Sequence, residues 1–243
     1  MATRTSPEKK LQKLWPKLTA GDPKAVHEAR KLTRRASAEL AASGAPKSAR
    51  RAWRDLRRAA AALRDHDVAG DHIAAALEEA GRPPGEVAGF RADWAARRAE
   101  LLAQTEWPPP PQGALRPDDF GQRVRKALRR EARDLLDEAP RVLRARRAET
   151  WHDWRKRLKH YRYILELQDK APAVLTDTLD ALGRMQDAEV VRTLLTEQGL
   201  VPGQREELQK REKDARLASQ ARVRELWPEL KQHLKAQRKA GVK

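Results

Sequence analysis

The sequence contains no cysteine, which removes disulfides, thiolate metal sites and a cysteine nucleophile from consideration. Aromatic residues are scarce, at 5% of the chain, and seven of them are tryptophan. No apolar run approaches the ~20 residues that a membrane-spanning helix needs. The opening stretch, MATRTSPEKK, has no signal-peptide core. A soluble, cytoplasmic protein with no membrane association is expected. No convincing period-two alternation is present, so no strand is expected. The chain also lacks a P-loop and any acidic strand pattern that could hold Mg²⁺ against a triphosphate. Negative charge is in deficit. Lysine and arginine number 52 against 35 aspartate and glutamate, giving a formal net charge of +17 over 243 residues and a pI near 10.5. Such an excess points to a polyanion or an anionic surface as partner, although an Arg- and Ala-rich composition can raise the pI without any dedicated ligand.

What is present is helix. Apolar residues recur at three and four throughout, and breakers separate the runs. Helices are expected over about 7–18, 23–42, 49–80, 86–105, 119–138, 151–169, 172–198 and 204–238. Pro140 is expected to interrupt the fifth or to begin another turn of helix, and Gly183 to continue or kink the seventh. Asp22 before Pro23 reads as an N-cap followed by a first-turn proline. The stretch WPPPPQGALRPDD cannot lie in a helix interior. It is read as a linker, 107–118, between a first half, 1–106, and a second, 119–243. The expected fold is all-α, with two antiparallel helical bundles.

One stretch is unusual. On a helix turning about 100° per residue, 151–167 places His152, Arg155, Lys156, Lys159 and Arg162 on one face. Trp154, Leu158, Tyr161, Ile164 and Leu165 fall opposite. Solvated faces usually interleave signs, because like charges one turn apart repel. A stripe of almost unbroken positive charge is better tolerated where an anion settles on it. The pattern occurs twice. VHEARKLTRR at 26–35 lies over WHDWRKRLKH at 151–160, so His27, Arg30, Lys31 and Arg34 match His152, Arg155, Lys156 and Lys159. At a slightly shorter offset LRDHDV lies over MQDAEV, aligning Asp65 with Asp187 and Val68 with Val190. Two like halves suggest pseudo-twofold symmetry with the two stripes on a shared groove.

These residues resemble the CHAD family, the conserved histidine α-helical domain, whose pattern is a His with following Arg and Lys on a helix, then a helix with an Arg-Asp-x-Asp-Val-like segment, duplicated. The resemblance covers nearly the whole chain. It implies two four-helix bundles about a pseudo-twofold axis and a basic central channel. It also implies binding of inorganic polyphosphate and association with polyphosphate granules. The chain departs from the pattern at MQDAEV, where no Arg precedes Asp187, and Ser37 and Ala38 stand where the second half has Arg162 and Tyr163. The half-sites are expected to be unequal, with the second gripping harder.

A polyphosphate offers charge at short intervals and no bases to read. Arg30, Lys31, Arg34, Arg155, Lys156 and Lys159 are the leading contacts, since guanidinium groups bind phosphate oxygens bidentately and ammonium groups act as mobile point charges. Arg35, Arg54, Arg58, Arg162 and Arg184 are further candidates on charge. His27 and His152 can donate to phosphate, or be structural; their shared register favours the ligand. Asp65 and Asp187 read as partners that hold the basic helices. The Asp65, His66, Asp67, Asp71, His72 group reads as surface rather than as a metal site. The expected function is non-catalytic binding of polyphosphate or a similar polyanion, with no cofactor or metal. The alternative is a nucleic-acid-binding helical protein, which lacks a recognisable motif here.

Overall fold

The computed structural model describes residues 6–112, 116–197, 203 and 205–240. The described residues are helical, with no strand. The chain divides into two compact units, Met1–Pro117 and Asp118–Lys243.

The first unit holds α1 (Pro7–Thr19), α2 (Pro23–Ser43), α3 (Lys47–Ala59), α4 (Ala61–Glu79) and α5 (Pro84–Ala103). α2 packs on α1, α3 and α4, and α5 lies on α4. Its core gathers Leu11, Leu18, Val26, Ala29, Trp53, Leu56 and Leu63. The start of the proline-rich stretch belongs to this unit. Trp107 packs against the core, and the carbonyl of Gln112 accepts from Nε1 of Trp53 at 3.1 Å.

The single helix expected over 49–80 is broken at Ala60, whose ψ is 0°. The Ala60 carbonyl still accepts from Arg64 N at 3.3 Å. It also accepts from Nη1 of Arg30 on α2 at 3.4 Å. The helical hydrogen bonds persist across the junction, and periodicity along α3 and α4 does not record the change in ψ.

The second unit holds α6 (Phe120–Val142), α7 (Ala148–Leu165), α8 (Ala173–Glu197) and α9 (Arg205–Lys239). α6 packs on α7 and α9, and α8 packs on the same two. Buried residues come from each, among them Leu128, Leu135, Trp151, Trp154, Leu158, Leu175, Leu182, Leu230 and Leu234. Three points that the sequence left open or approximate are decided. Pro140 does not interrupt α6, which runs through it to Val142. The proline is exposed, so water can reach the side of the helix that loses an N–H donor. α7 ends at Leu165, short of residue 169. α8 runs unbroken through Gly183. The expected turn at 199–203 lies outside the described residues apart from Gly203.

α5 is anchored to α4 by a local latch. His66 stacks on Trp94 with ring centroids 4.2 Å apart. Each ring also reaches the other residue's carbonyl: His66 Nε2 at 2.8 Å, Trp94 Nε1 at 3.0 Å. The half-buried ion pair Asp67–Arg98 continues the seam. His66 and Asp67 are therefore committed to helix packing.

Candidate functional site

α2 starts cleanly because Oδ1 of Asp22 accepts from Ala25 N at 2.7 Å and Pro23 supplies the first turn. That fixes the register. Ala25, Val26, Ala29, Thr33 and Ala36 turn inward. His27, Arg30, Lys31 and Arg34 fall on the opposite side, all half-buried or exposed. α7 repeats the arrangement, with Trp151, Trp154, Leu158 and Tyr161 inward. Tyr161 is tied to α9 by a 2.8 Å hydrogen bond between its hydroxyl and His233 Nε2.

The stripe is less single-signed than its cations suggest. Lys31 pairs with Glu28 at 3.0 Å, and Lys156 pairs with Asp153 at 2.9 Å. Glu28 and Asp153 occupy the same position in the two copies, directly after the histidine. Both pairs are exposed, so each holds its lysine only loosely.

In the first unit Arg30 is the best-held cation of the α2 stripe. Besides bonding the Ala60 carbonyl, it lies 3.5 Å from Asp65, and its side chain is only 15% exposed against 72% for the carboxylate. Burial works against its charge, Asp65 supports it, and Arg34, Arg64 and Arg57 oppose it. Asp65 thus holds the basic helix as expected. The His27 pKa is lowered, first by burial and then by Arg64 and Lys31. Arg57, which the sequence reading passed over, is half-buried on α3. Burial lowers its pKa, and so do Arg34, Arg58 and Arg54. Arg54 and Arg58 are exposed, each 4.0 Å from Asp55. Among the described residues no carboxylate pairs with Arg34, Arg57 or Arg64. Arg35 is half-buried, and its Nη2 is enclosed without a hydrogen-bond partner.

In the second unit Nδ1 of His152 donates to Oε1 of Gln186 on α8. The His152 pKa is lowered by burial first and by Lys156 next, with the Gln186 bond acting the other way. The Arg155 guanidinium lies against Gly183, 3.5 Å from where a Cβ would stand. Lys159 is half-buried on the same face of α7. Arg162 pairs with Glu166 at 3.3 Å and lies over the ring of Tyr163, 5.2 Å from its centroid. Arg184 turns to α9, where Glu212, only 2% exposed, accepts from it at 2.7 Å and from Arg211 at 2.8 Å.

The register that lays Asp65 over Asp187 lays Ala61 over Gly183 and Arg64 over Gln186. Arg30 and Arg155 therefore meet the following helix at matching places. His27 meets a cation where His152 meets an amide. The same register lays Arg54, Arg57 and Arg58 over Thr176, Leu179 and Asp180. The arginines of α3 have no basic counterpart at the matching positions of α8. Arg57 was findable, since it shares a helical face with Arg54 and Arg58. Gln186 was findable from the repeat alignment.

A CHAD domain model matches residues 9–196. The chain belongs to the CHAD domain family. Comparison with curated proteins and with solved structures gives no match. The CHAD match ends in α8, and α9 lies beyond it. α9 nevertheless completes the packing of the second CHAD unit, supplying Glu212 to Arg184 and His233 to Tyr161. No described helix is long and apolar enough to cross a membrane.

Proposed function

We propose that this CHAD protein binds inorganic polyphosphate without catalysis and thereby associates with polyphosphate granules in the cytoplasm. The observation that carries the reading is the half-buried cluster of His27, Arg30, Arg34, Arg57 and Arg64, which holds more positive charge than the nearby carboxylates offset. Membership of the CHAD family supports it. Polyphosphate supplies closely spaced oxyanions that suit guanidinium groups on adjacent helical turns, ~5–6 Å apart between Cβ atoms. The His27, Arg30, Lys31, Arg34 face of α2 and the His152, Arg155, Lys156, Lys159 face of α7 each form a track. Arg35, Arg54, Arg58 and Arg162 lie beside them. Arg184 acts on the fold through Glu212. With α3 and α4 taken as one broken helix, each unit reads as a four-helix bundle.

Nucleic acid is the second reading. Single strands are gripped by stacking bases on aromatic rings. The aromatic residues of α7, namely Trp151, Trp154, Tyr161 and Tyr163, are buried, so they offer no such platform.

The test is a titration of long polyphosphate, single- and double-stranded DNA, and RNA in one buffer across a salt series. Polyphosphate binds tightest, with a steep salt slope from many phosphate contacts. Equal or tighter DNA binding at physiological salt sinks the proposal. The double variant Arg34→Glu/Lys156→Glu weakens binding more than Lys231→Glu/Lys235→Glu, which alters two exposed cations of α9. Equal losses assign the binding to diffuse charge. Release of phosphate from polyphosphate in the presence of Mg²⁺ overturns the non-catalytic assignment.

A further inference from the structure

We propose that the α2–α3 face of the first unit is a compact seat for a short condensed phosphate of tripolyphosphate size, with Arg57 at its centre. This rests on the polyphosphate reading and adds a place, a length and a stoichiometry to it.

α3 is amphipathic in the strict sense that its large apolar side chains, Trp53 and Leu56, are fully buried. Helical geometry then puts Arg54, Arg57 and Arg58 together on the other side. α2 packs on α3, and this brings Arg34 to the same place. Four guanidinium groups share one carboxylate, Asp55, which is 4.0 Å from Arg54 and from Arg58 and is not paired with Arg57 or Arg34. Arg57 is the least exposed of the five α3 arginines. Burial and every charge that acts on it oppose its ionised form. A half-buried cation ordinarily has a carboxylate or a set of acceptors beside it, because desolvation without compensation is costly. Here that compensation is supplied by an anion from outside. Four guanidinium groups carry more donors than a single phosphate can accept. A chain of about three phosphates presents oxyanions on several sides, and guanidinium forks are matched to them. The second unit has Thr176, buried Leu179 and Asp180 at the equivalent positions, so there is one seat per chain.

The test is calorimetric titration of tripolyphosphate, and separately of long polyphosphate, into the full chain at physiological salt. Tripolyphosphate binds one per chain. Arg57→Gln weakens it by about tenfold or more, the loss expected for a charge-assisted hydrogen bond. Arg57→Lys keeps the charge and loses less, and Lys231→Gln stays within about twofold. A purely structural arginine is separated by melting the ligand-free protein. Arg57→Gln relieves like-charge crowding, so its melting temperature rises by about 2 °C. A lower melting temperature assigns Arg57 to the fold and overturns the seat. Unchanged tripolyphosphate binding by Arg57→Gln overturns it as well. If long polyphosphate binds and tripolyphosphate does not, the seat fails and the polyphosphate reading stands. If neither binds, both fail.

Discussion

Nδ1 of His152 donates to the side-chain oxygen of Gln186, at the repeat position where the first unit places Arg64 near His27. The amide fixes one ring nitrogen of His152. The arginine instead adds charge beside His27 and fixes nothing. One substitution in the repeat therefore separates a charged half-site from an oriented one.

Restoring the cation tests that difference. Gln186→Arg gives the second unit the charge of the first. Polyphosphate affinity rises by about threefold to tenfold, and the salt slope steepens by about 0.7–0.9, the value of one further phosphate contact. A titration at four salt concentrations measures both. An unchanged slope places residue 186 outside the track.

Binding is coupled to protons. Both His27 and His152 are held below their ordinary pKa of 6.5, by burial first and by neighbouring cations next. A bound polyanion favours the imidazolium form. The complex therefore holds more protons than its separated parts, and affinity rises as pH falls from about 8 to about 6. Calorimetry in two buffers of different ionisation enthalpy reads the uptake. The His27→Gln/His152→Gln variant abolishes it, and identical heats for the unaltered protein in both buffers contradict the coupling.

Stability of the ligand-free chain moves the opposite way. His27, His152, His160 and His233 all have lowered pKa values, with burial the largest cause in each. The unfolded chain takes protons at 6.5 while the folded chain resists them. The contribution is full above 6.5 and is lost as pH falls through 6.5 toward the lower folded values. His233→Gln makes the decline in urea midpoint between about pH 7 and about pH 5 shallower. An equally steep decline assigns it to other groups.

Arg184 separates fold from binding. Its partner Glu212 is buried and keeps Arg211 when Arg184 is removed. Arg184→Ala costs about 1–2 kcal/mol in urea unfolding, with polyphosphate affinity per folded molecule unchanged. A large affinity loss at unchanged stability returns Arg184 to the ligand track.

Gly70→Ala tests the α4–α5 latch. In an open helix the change stabilises by up to about 1 kcal/mol. Here a Cβ collides with the indole of Trp94, so the substitution costs about 1–3 kcal/mol. The sign of the change in unfolding free energy decides.

The helices, the caps at Asp22 and Pro23, the two basic stripes and their repeat were legible from the sequence, and family membership with them. Each depends on residues within a turn or two of one another, and a period of 3.6 writes that information into the chain. The breaks were less legible. Pro140 reads as a stop or as the start of a further turn, and two residues from the end of α6 and facing water it strands little. Ala60 carries no breaker at all, and its carbonyl also meets Arg30, thirty residues earlier.

Which cations already have a carboxylate partner was decided by tertiary packing. Arg162 and Arg184 look alike in sequence to Arg34 and Arg57, all arginines on the polar sides of helices. Packing turned Arg184 onto a buried carboxylate of α9 and Arg162 onto Glu166 and Tyr163, and it left Arg34 and Arg57 crowded with no carboxylate of their own. The expectation that the second half grips harder came from counting residues on one helix. Charge acts across helices, and its sign at a point depends on every element packed around it. In the first unit α3 adds arginines at positions where the unbroken α8 has Thr176, Leu179 and Asp180.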